Sequence, residues 1–442
     1  MTARIRTVSR LLGLLACCSV TMASSEELTP LGAPIAGEAP WIPAWSGGIT
    51  TPPGDYGGAG ETHPDPFGDD EPIARLTATD TGDFGELLPA GLRALLDTYA
   101  DTARIDVYPS RRSHSAPAFV YENTERNGVT AALVDGGNGF EGASAGIPFP
   151  APENALEIYW NHVARWRGQA VEARSADLIV YPNGRVSRTV RETLARFDYY
   201  LPAAEEPQTN RLFSLLSRTV GSGRNSGSAA LVHETINQEA EARSSWAWDA
   251  GRRRVLRAPL LAFDQPLNTM DGLMTADDVD LINGSPARFD WEIVGRKAMV
   301  VPYNNYRLAA YDRDELALPG HLAPDALRYE VHRVWIIEGR LREEWRHPYH
   351  RRVLYVDADS WTALVAESYD ADGSLWRVGV NYPKNYYEVP ATLPVAYVFH
   401  DLKARRYAVQ GLASSPAAAP IHTTEIPSAG RFNPSGLRRF AR

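Results

Sequence analysis

Arg351–Val380 reads RRVLYVDADSWTALVAESYDADGSLWRVGV. Three runs rich in Val, Leu, Tyr and Trp are separated by two acidic turns, Asp357-Ala-Asp359-Ser360 and Asp370-Ala-Asp372-Gly373. Runs of this length, punctuated by Asp, Ser and Gly, read as antiparallel strands joined by tight hairpins. Tyr329–Glu338 (YEVHRVWIIE) has the same character, so the region is predicted to be a meander. A wide, curved antiparallel sheet is a surface for holding something, and nothing in this stretch resembles reaction chemistry.

The same signals recur along the chain. Arg104–Tyr108 reads as a strand, and Gln169–Tyr181 and Arg185–Tyr199 flank Pro182-Asn183-Gly184, whose Asn-Gly is a hairpin signal. Ala229–Asn237, Ala242–Trp248, Arg252–Phe263, Phe289–Val301, Tyr386–His400 and Tyr407–Leu412 add further strands. Two helices stand out. Leu92, Leu95, Leu96 and Tyr99 place a helix over Leu88–Tyr99, and Leu156, Tyr159, Trp160, Val163 and Trp166 place another over Glu153–Arg167. Both are expected over the concave face of the sheet. Thr275 and Asp278 form a capping box for a short helix at Ala276–Ile282, with Asp277, Asp278 and Asp280 as its charged first turn. No alternating βαβ pattern appears, which points to one large antiparallel sheet with a few packed helices. The division expected is a leader at 1–23, a Pro/Gly-rich extended arm at 24–86 containing Trp41 and Trp45, one domain at 87–413, and a loose tail at 414–442.

Arg4, Arg6 and Arg10 precede a short apolar core, Leu11–Met22, and small residues at Thr21-Met22-Ala23. That is the pattern of a cleaved export signal. Leu14-Leu15-Ala16-Cys17 offers lipid anchoring at Cys17 as the alternative; the reading taken is soluble export to the periplasm of a Gram-negative bacterium. The only cysteines, Cys17 and Cys18, lie in the leader, so cleavage after Ala23 leaves no disulfide, thiolate metal site or cysteine nucleophile. The net charge is −9, and loss of the three leader arginines takes it to −12, which argues against nucleic acid as a partner.

Motifs that suggest chemistry fail on context. Gly142-Ala143-Ser144-Ala145-Gly146 matches a nucleophile elbow, with His114 or His162 as bases, but Ile147-Pro148-Phe149-Pro150 cannot begin the helix an elbow needs. Counted from Asp370, the sixth residue is Leu375 and the twelfth Asn381, which do not fit a calcium loop, so both acidic pairs read as turn formers and no metal ligands are assigned. His347 and His350 read as surface histidines. The spacing of Gly221, Gly223 and Gly227 is not that of a dinucleotide loop, and no cofactor is assigned. What remains is aromatic and aliphatic: Trp246 and Trp248 on one strand face, Trp335 and Ile337 on another, and Trp291, Tyr303, Trp361, Trp376, Tyr159 and Trp160 beside them. Each is singly a core residue. As a group on an open sheet they would line a cavity for an apolar ligand.

Several blocks resemble the family known as DUF1329: Gly146-Ile147-Pro148-Phe149-Pro150; Asp271-Gly272-Leu273 running to Asn283-Gly284-Ser285-Pro286; Val301-Pro302-Tyr303-Asn304-Asn305-Tyr306; Asp359-Ser360-Trp361; Tyr369-Asp370; and Leu375-Trp376-Arg377. The resemblance implies a LolA/LolB-like fold, a half-open antiparallel β-barrel with helices at its mouth. It further implies an exported, lipoprotein-sorting type of protein working beside RND/MMPL-type transporters or an outer-membrane partner. It supplies no catalytic residues. The function expected is a carrier for a lipid, a lipoprotein acyl chain or another hydrophobic small molecule, not an enzyme. The alternatives are an exported hydrolase using Ser144 and a ligand-free structural partner in an envelope complex.

Overall fold

The computed structural model describes residues 26–202, 209–221, 226–258, 264–416 and 418–442. The expected leader, with Cys17, lies outside them, as do the end of the Arg252–Phe263 strand and part of the 221–228 turn.

In chain order the elements are β1 (Ala74–Leu76), α1 (Ala90–Thr98), β2 (Ile105–Tyr108), α2 (Ala118–Thr130), β3 (Ala132–Val134), β4 (Gly139–Glu141) and α3 (Ala155–Ala164). A first meander follows: β5 (Ala170–Val180), β6 (Val186–Arg196), β7 (Arg211–Val220), β8 (Ala229–Thr235), β9 (Ser244–Asp249) and β10 (Arg254–Arg257). After β11 (Phe289–Pro302), α4 (Tyr306–Ala310) and α5 (Arg313–Leu316) comes a second: β12 (Tyr329–Leu341), β13 (Arg351–Asp357), β14 (Ala363–Tyr369), β15 (Leu375–Tyr386), β16 (Ala391–Asp401) and β17 (Arg406–Ala413). The chain ends in β18 (Ile421–Thr423) and α6 (Pro434–Phe440).

All strands except the small β3–β4 hairpin join one 16-stranded sheet that does not close into a barrel. The two meanders meet where β17 pairs with β5, Tyr407 opposite Val180. Pairing is antiparallel apart from β2 beside the start of β12. The meander read from Arg351–Val380 is therefore the middle of the sheet. Pro383 and Pro394 face one another beside a bulge in the β15–β16 ladder. Proline is tolerated inside a sheet at such a break, because it has no N–H for the ladder.

The central strands are covered on both faces. Val334 and Ile336 of β12 and Val353 and Tyr355 of β13 pack into one core with Leu92 and Leu96 of α1. Their neighbours Trp335, Ile337, Leu354 and Val356 pack into another with Ile158 and Trp160 of α3. Successive side chains of a strand point to opposite faces, so α1 and α3, expected together on one face, sit on opposite sides of the sheet. α1 follows Pro89, which offers no side-chain cap. Instead the Gly91 N–H donates to the buried Glu367 carboxylate of β14 at 2.7 Å, which satisfies an orphan amide at the positive end of the helix. A Cβ at Gly91 would lie 2.8 Å from Val378 Cγ1, so only glycine permits this approach.

The arm runs without helix or strand to Ile73. Trp41 and Trp45 are half-buried; Trp41 packs against Phe84 with ring centres 4.5 Å apart. Arm carbonyls hold it more firmly. Leu31 O accepts from Trp361 Nε1 at 2.9 Å, and Pro34 O and Ile35 O accept from Arg112 at 2.7 and 3.0 Å. The tail expected to be loose is instead structured. β18 extends the edge of β5, and α6 inserts Leu437, with Phe432 before it, among Leu216, Leu231 and Trp248. Its Phe432 carbonyl accepts from His233 at 2.8 Å.

Leu437 is wholly buried. Leu437→Ala is predicted to cost about 2–5 kcal/mol in urea unfolding followed by circular dichroism. A loss below about 0.5 kcal/mol, the range of a surface change, would show that the tail lies outside the cooperative unit.

Candidate functional site

A cleft opens where the β3–β4 hairpin meets the start of α3 and the edge strand β11. The turn Asp135-Gly136-Gly137 has φ of 50°, 65° and 88° in succession, a left-handed run that glycine makes easy. A Cβ on Gly137 would lie 2.3 Å from Leu156 Cδ1. The cleft holds about 340 Å³ and is lined by Leu133, Gly136, Gly137, Asn154, Leu156 and Trp291. A second hollow of about 230 Å³ shares Gly136, Gly137 and Leu156 and continues to Phe289, Arg342 and Trp345. Asn154 caps α3 by accepting from the Leu156 and Glu157 amides at 3.1 Å. Trp160 Nε1 donates to Gly137 O at 2.9 Å, and Tyr159 packs against Trp291 at 5.4 Å, so α3 fixes both walls.

Beneath the cleft lies a set of buried charges. Arg352 reaches Asp277 and Asp278 at 2.8 Å each, Tyr349 OH donates to Asp278 at 2.8 Å, and His347 Nε2 is 3.2 Å from Asp277. Arg165 grips Asp280 with bonds of 2.8 and 2.5 Å, and Arg167 adds one of 2.9 Å. Burial would raise the Asp280 carboxyl, but Arg165, His162 and Arg167 outweigh it and hold the group well below the usual carboxylate range. The capping box at Thr275 is present, yet the helix it opens is one 3-10 turn. Asp277, Asp278 and Asp280 are not a solvated first turn, and His347 is not a surface residue. All four are buried because the loop 266–285 is pressed onto the sheet and needs ionic partners there. Only His350 of the histidine pair is exposed.

The two acidic turns differ. Asp370 behaves as a turn former: its carboxylate accepts from the Asp372 and Ser374 amides at 3.0 and 2.9 Å. Asp357 and Asp359 are buried, and Arg112 holds Asp359 with bonds of 2.8 and 2.6 Å. Trp361, after this turn, has a φ of 58°, a left-handed conformation that costs a bulky residue on the order of 1–3 kcal/mol. Its indole bond to Leu31 and its place in the core hold it there.

The ten aromatic and aliphatic residues taken from the sequence separate into groups. Of these only Trp291 lines the cleft; Tyr159 and Trp160 are buried behind it, Tyr159 packed against Trp291. Trp335, stacked on Trp361 at 6.5 Å, and Ile337 belong to the core of the same sheet face. Tyr303 is buried over His332, ring centres 3.9 Å apart. Trp376 lies against Tyr349 and donates to Asp401 at 3.1 Å. Trp246 and Trp248 lie under α6. Sequence reasoning missed Leu133, Leu156 as a wall residue, and Trp345, because the cleft is made by a hairpin too short to register as strands. Ser144 sits in an irregular segment that runs to the start of α3 at Ala155; its amide donates to Asn127 Oδ1 at 3.0 Å. The strand–turn–helix of a nucleophile elbow is not formed. His114 and His162 are buried, His114 against Thr392, and His162 against Asp280 O and Ala363 N.

Two outcomes follow from these charges. Arg352→Met removes the guanidinium that two buried carboxylates share, leaving them only Thr275, Tyr349 and His347, and is predicted to cost about 3–5 kcal/mol. Arg342→Met breaks only the exposed pair with Asp290 and should cost about 0–1 kcal/mol; equal losses in chemical unfolding would contradict the account. Burial pushes the imidazoles of His114, His162 and His422 down to about 4 and that of His400 to about 3. Unfolded, they take protons near pH 6.5, so their stabilisation is complete above that pH. It falls as the pH drops towards 4, by about 1.4 kcal/mol per pH unit for each histidine engaged. Asp280, depressed instead, loses its contribution only below about pH 4. Melting temperature measured from pH 7 to 4.5 tests this; a flat profile would refute it.

A family model described as a protein of unknown function, DUF1329, matches residues 75–438. An uncharacterized protein of Pseudomonas aeruginosa is 36% identical over 423 residues, covering 93% of this chain and 91% of the relative. Among solved structures, one named as an outer-membrane lipoprotein-sorting protein domain, from Vibrio parahaemolyticus, is similar to 64% of this chain over 98% of its own length, with a TM-score of 0.42 and 14% identity. A DUF1329 protein from Desulfovibrio piger (64% of this chain, 95% of its own) has a TM-score of 0.42 and 13% identity. A LolA superfamily protein from Nitrosomonas europaea (64% and 98%) has a TM-score of 0.37 and 12% identity. The family model and the Pseudomonas relative, each spanning most of the chain, agree with the blocks around Tyr303, Trp361 and Trp376: this chain belongs to the DUF1329 family.

Proposed function

We propose that this protein is a periplasmic carrier for a hydrophobic ligand, a lipid or a lipoprotein acyl chain, rather than an enzyme. The observation that carries the reading is the cleft of about 340 Å³ between Leu133, Leu156 and Trp291, continued by Phe289 and Trp345. Its size is that of a small-ligand pocket. Its walls are aromatic and aliphatic, and Asn138, Glu239 and Arg342 supply a polar rim. Each methylene entering such a cleft from water gains about 0.8 kcal/mol, so about ten buried methylenes supply the roughly 8 kcal/mol of micromolar binding before the cost of association is met. A carrier needs a donor and an acceptor, and an RND/MMPL-type transporter or an outer-membrane partner would fill those roles. A second reading, a ligand-free structural partner in an envelope complex, is favoured by the packing of both sheet faces.

The test is to purify the protein from periplasm, extract and identify bound lipid by mass spectrometry, and titrate a fluorescent fatty acid. Trp291→Ala is predicted to weaken binding about tenfold, the effect of losing one aromatic wall. Val129→Ala, at a residue 87% exposed and outside the cleft, should leave it unchanged. Protein that carries no lipid and binds no fatty acid would replace the carrier by the structural partner.

A further inference from the structure

We infer that His332, Asp357 and Asp359 form a binding site for a divalent metal ion of the zinc or manganese class. One imidazole nitrogen and one carboxylate oxygen from each aspartate lie within 4.8 Å of one another, and all three residues are buried. Oxygen and nitrogen donors of this kind suit those ions.

The hydrogen bonds around the three side chains leave acceptor capacity on each. Asp357 Oδ2 accepts from Tyr303 OH at 3.1 Å and from the amide and hydroxyl of Ser360 at 3.0 and 2.5 Å. Its other oxygen, Oδ1, is buried and accepts no hydrogen bond. A carboxylate oxygen left this way carries the full cost of lost hydration unless a cation meets it. His332 Nε2 is 3.0 Å from Glu330 Oε2, which leaves Nδ1 facing Asp357 Oδ1 at 4.0 Å. A carboxylate on the far nitrogen of a ligating imidazole is the usual outer partner at metal centres. Tyr303 stacks on the ring at 3.9 Å and fixes its plane. Asp359 is oriented by Arg112 through two hydrogen bonds, which use two of about four acceptor positions on a carboxylate.

Around the site, Arg111, Arg112 and Arg328 are linked with Asp70, Glu330, Asp357 and Asp359, three cations against four carboxylates, a set that one further positive charge, on His332 or on a bound ion, balances. The ligands come from β12, from the last residue of β13 and from the turn after it, and Arg112 ties that turn to arm carbonyls at Pro34 and Ile35. An ion here would therefore lock the arm to the middle of the sheet.

Metal content of the purified full-length protein, measured by inductively coupled plasma mass spectrometry, and calorimetric titration of chelator-treated protein with ZnCl2 and MnCl2 separately, test the inference. The result expected is one ion per chain, present on purification or bound on titration, with a melting temperature raised by several degrees. Asp357→Asn should weaken binding at least a hundredfold, and Asp370→Asn, in the exposed acidic turn, should not change it. Should Asp357→Asn fail to fold, the wild-type stoichiometry and the Co2+ absorption spectrum, whose visible bands report imidazole and carboxylate ligation, decide the matter. Wild-type protein that neither retains nor binds either metal, with His332 protonated in its place, would overturn the proposal, as would equal binding by Asp357→Asn.

Discussion

The constraint from which the rest follows is that the central strands bury both faces. Strands β12 to β17 carry apolar side chains on alternate positions of both sides, so each side needs a cover. One cover is α1 with the segment around α4 and α5; the other is α2, α3 and the loop 266–285. Much of this cover is irregular chain, and irregular chain brings backbone amides and carbonyls that helices and strands would have satisfied internally. The buried arginines and aspartates are the response. Arg112 serves the arm, Arg165 and Arg352 serve the loop 266–285, and each of the three is paired with a carboxylate.

The cleft is a by-product of the same cover. Where the β3–β4 hairpin turns back, Gly136 and Gly137 leave room that side chains would fill. The apolar walls there belong to α3 and β11, two rigid elements, while the lip belongs to loops.

The sequence shows the sheet clearly and the cover poorly. The Asn183-Gly184 hairpin, the stripe Leu92, Leu95 and Leu96, and the meander around Arg351–Val380 depend on neighbours within a few residues, and such local signals are legible. α2 was invisible for a physical reason. Its buried face is Val120, Thr124 and Asn127, and the last two point inward to hold the Ile147 and Ser144 amides, so it has no apolar stripe. The buried charges are unreadable because their partners are far apart in sequence: Arg352 and Asp277 by 75 residues, Arg165 and Asp280 by 115. Asp357 and Asp370 sit in nearly identical turns, and only the presence of β12 and the arm over the first makes it a different chemical object.

The pairing of β17 with β5 has a consequence for how the chain reaches this state. Each meander assembles from hairpins whose partners are close in sequence, which closes small loops quickly. Tyr407 must find Val180 across more than two hundred residues, a closure that comes late and is slow. Until β17 is made, the outer edge of β5 is an unpaired row of N–H and C=O groups. During synthesis the first half of the molecule therefore waits with that edge open, and the interval before β17 is made is when a second copy could pair there.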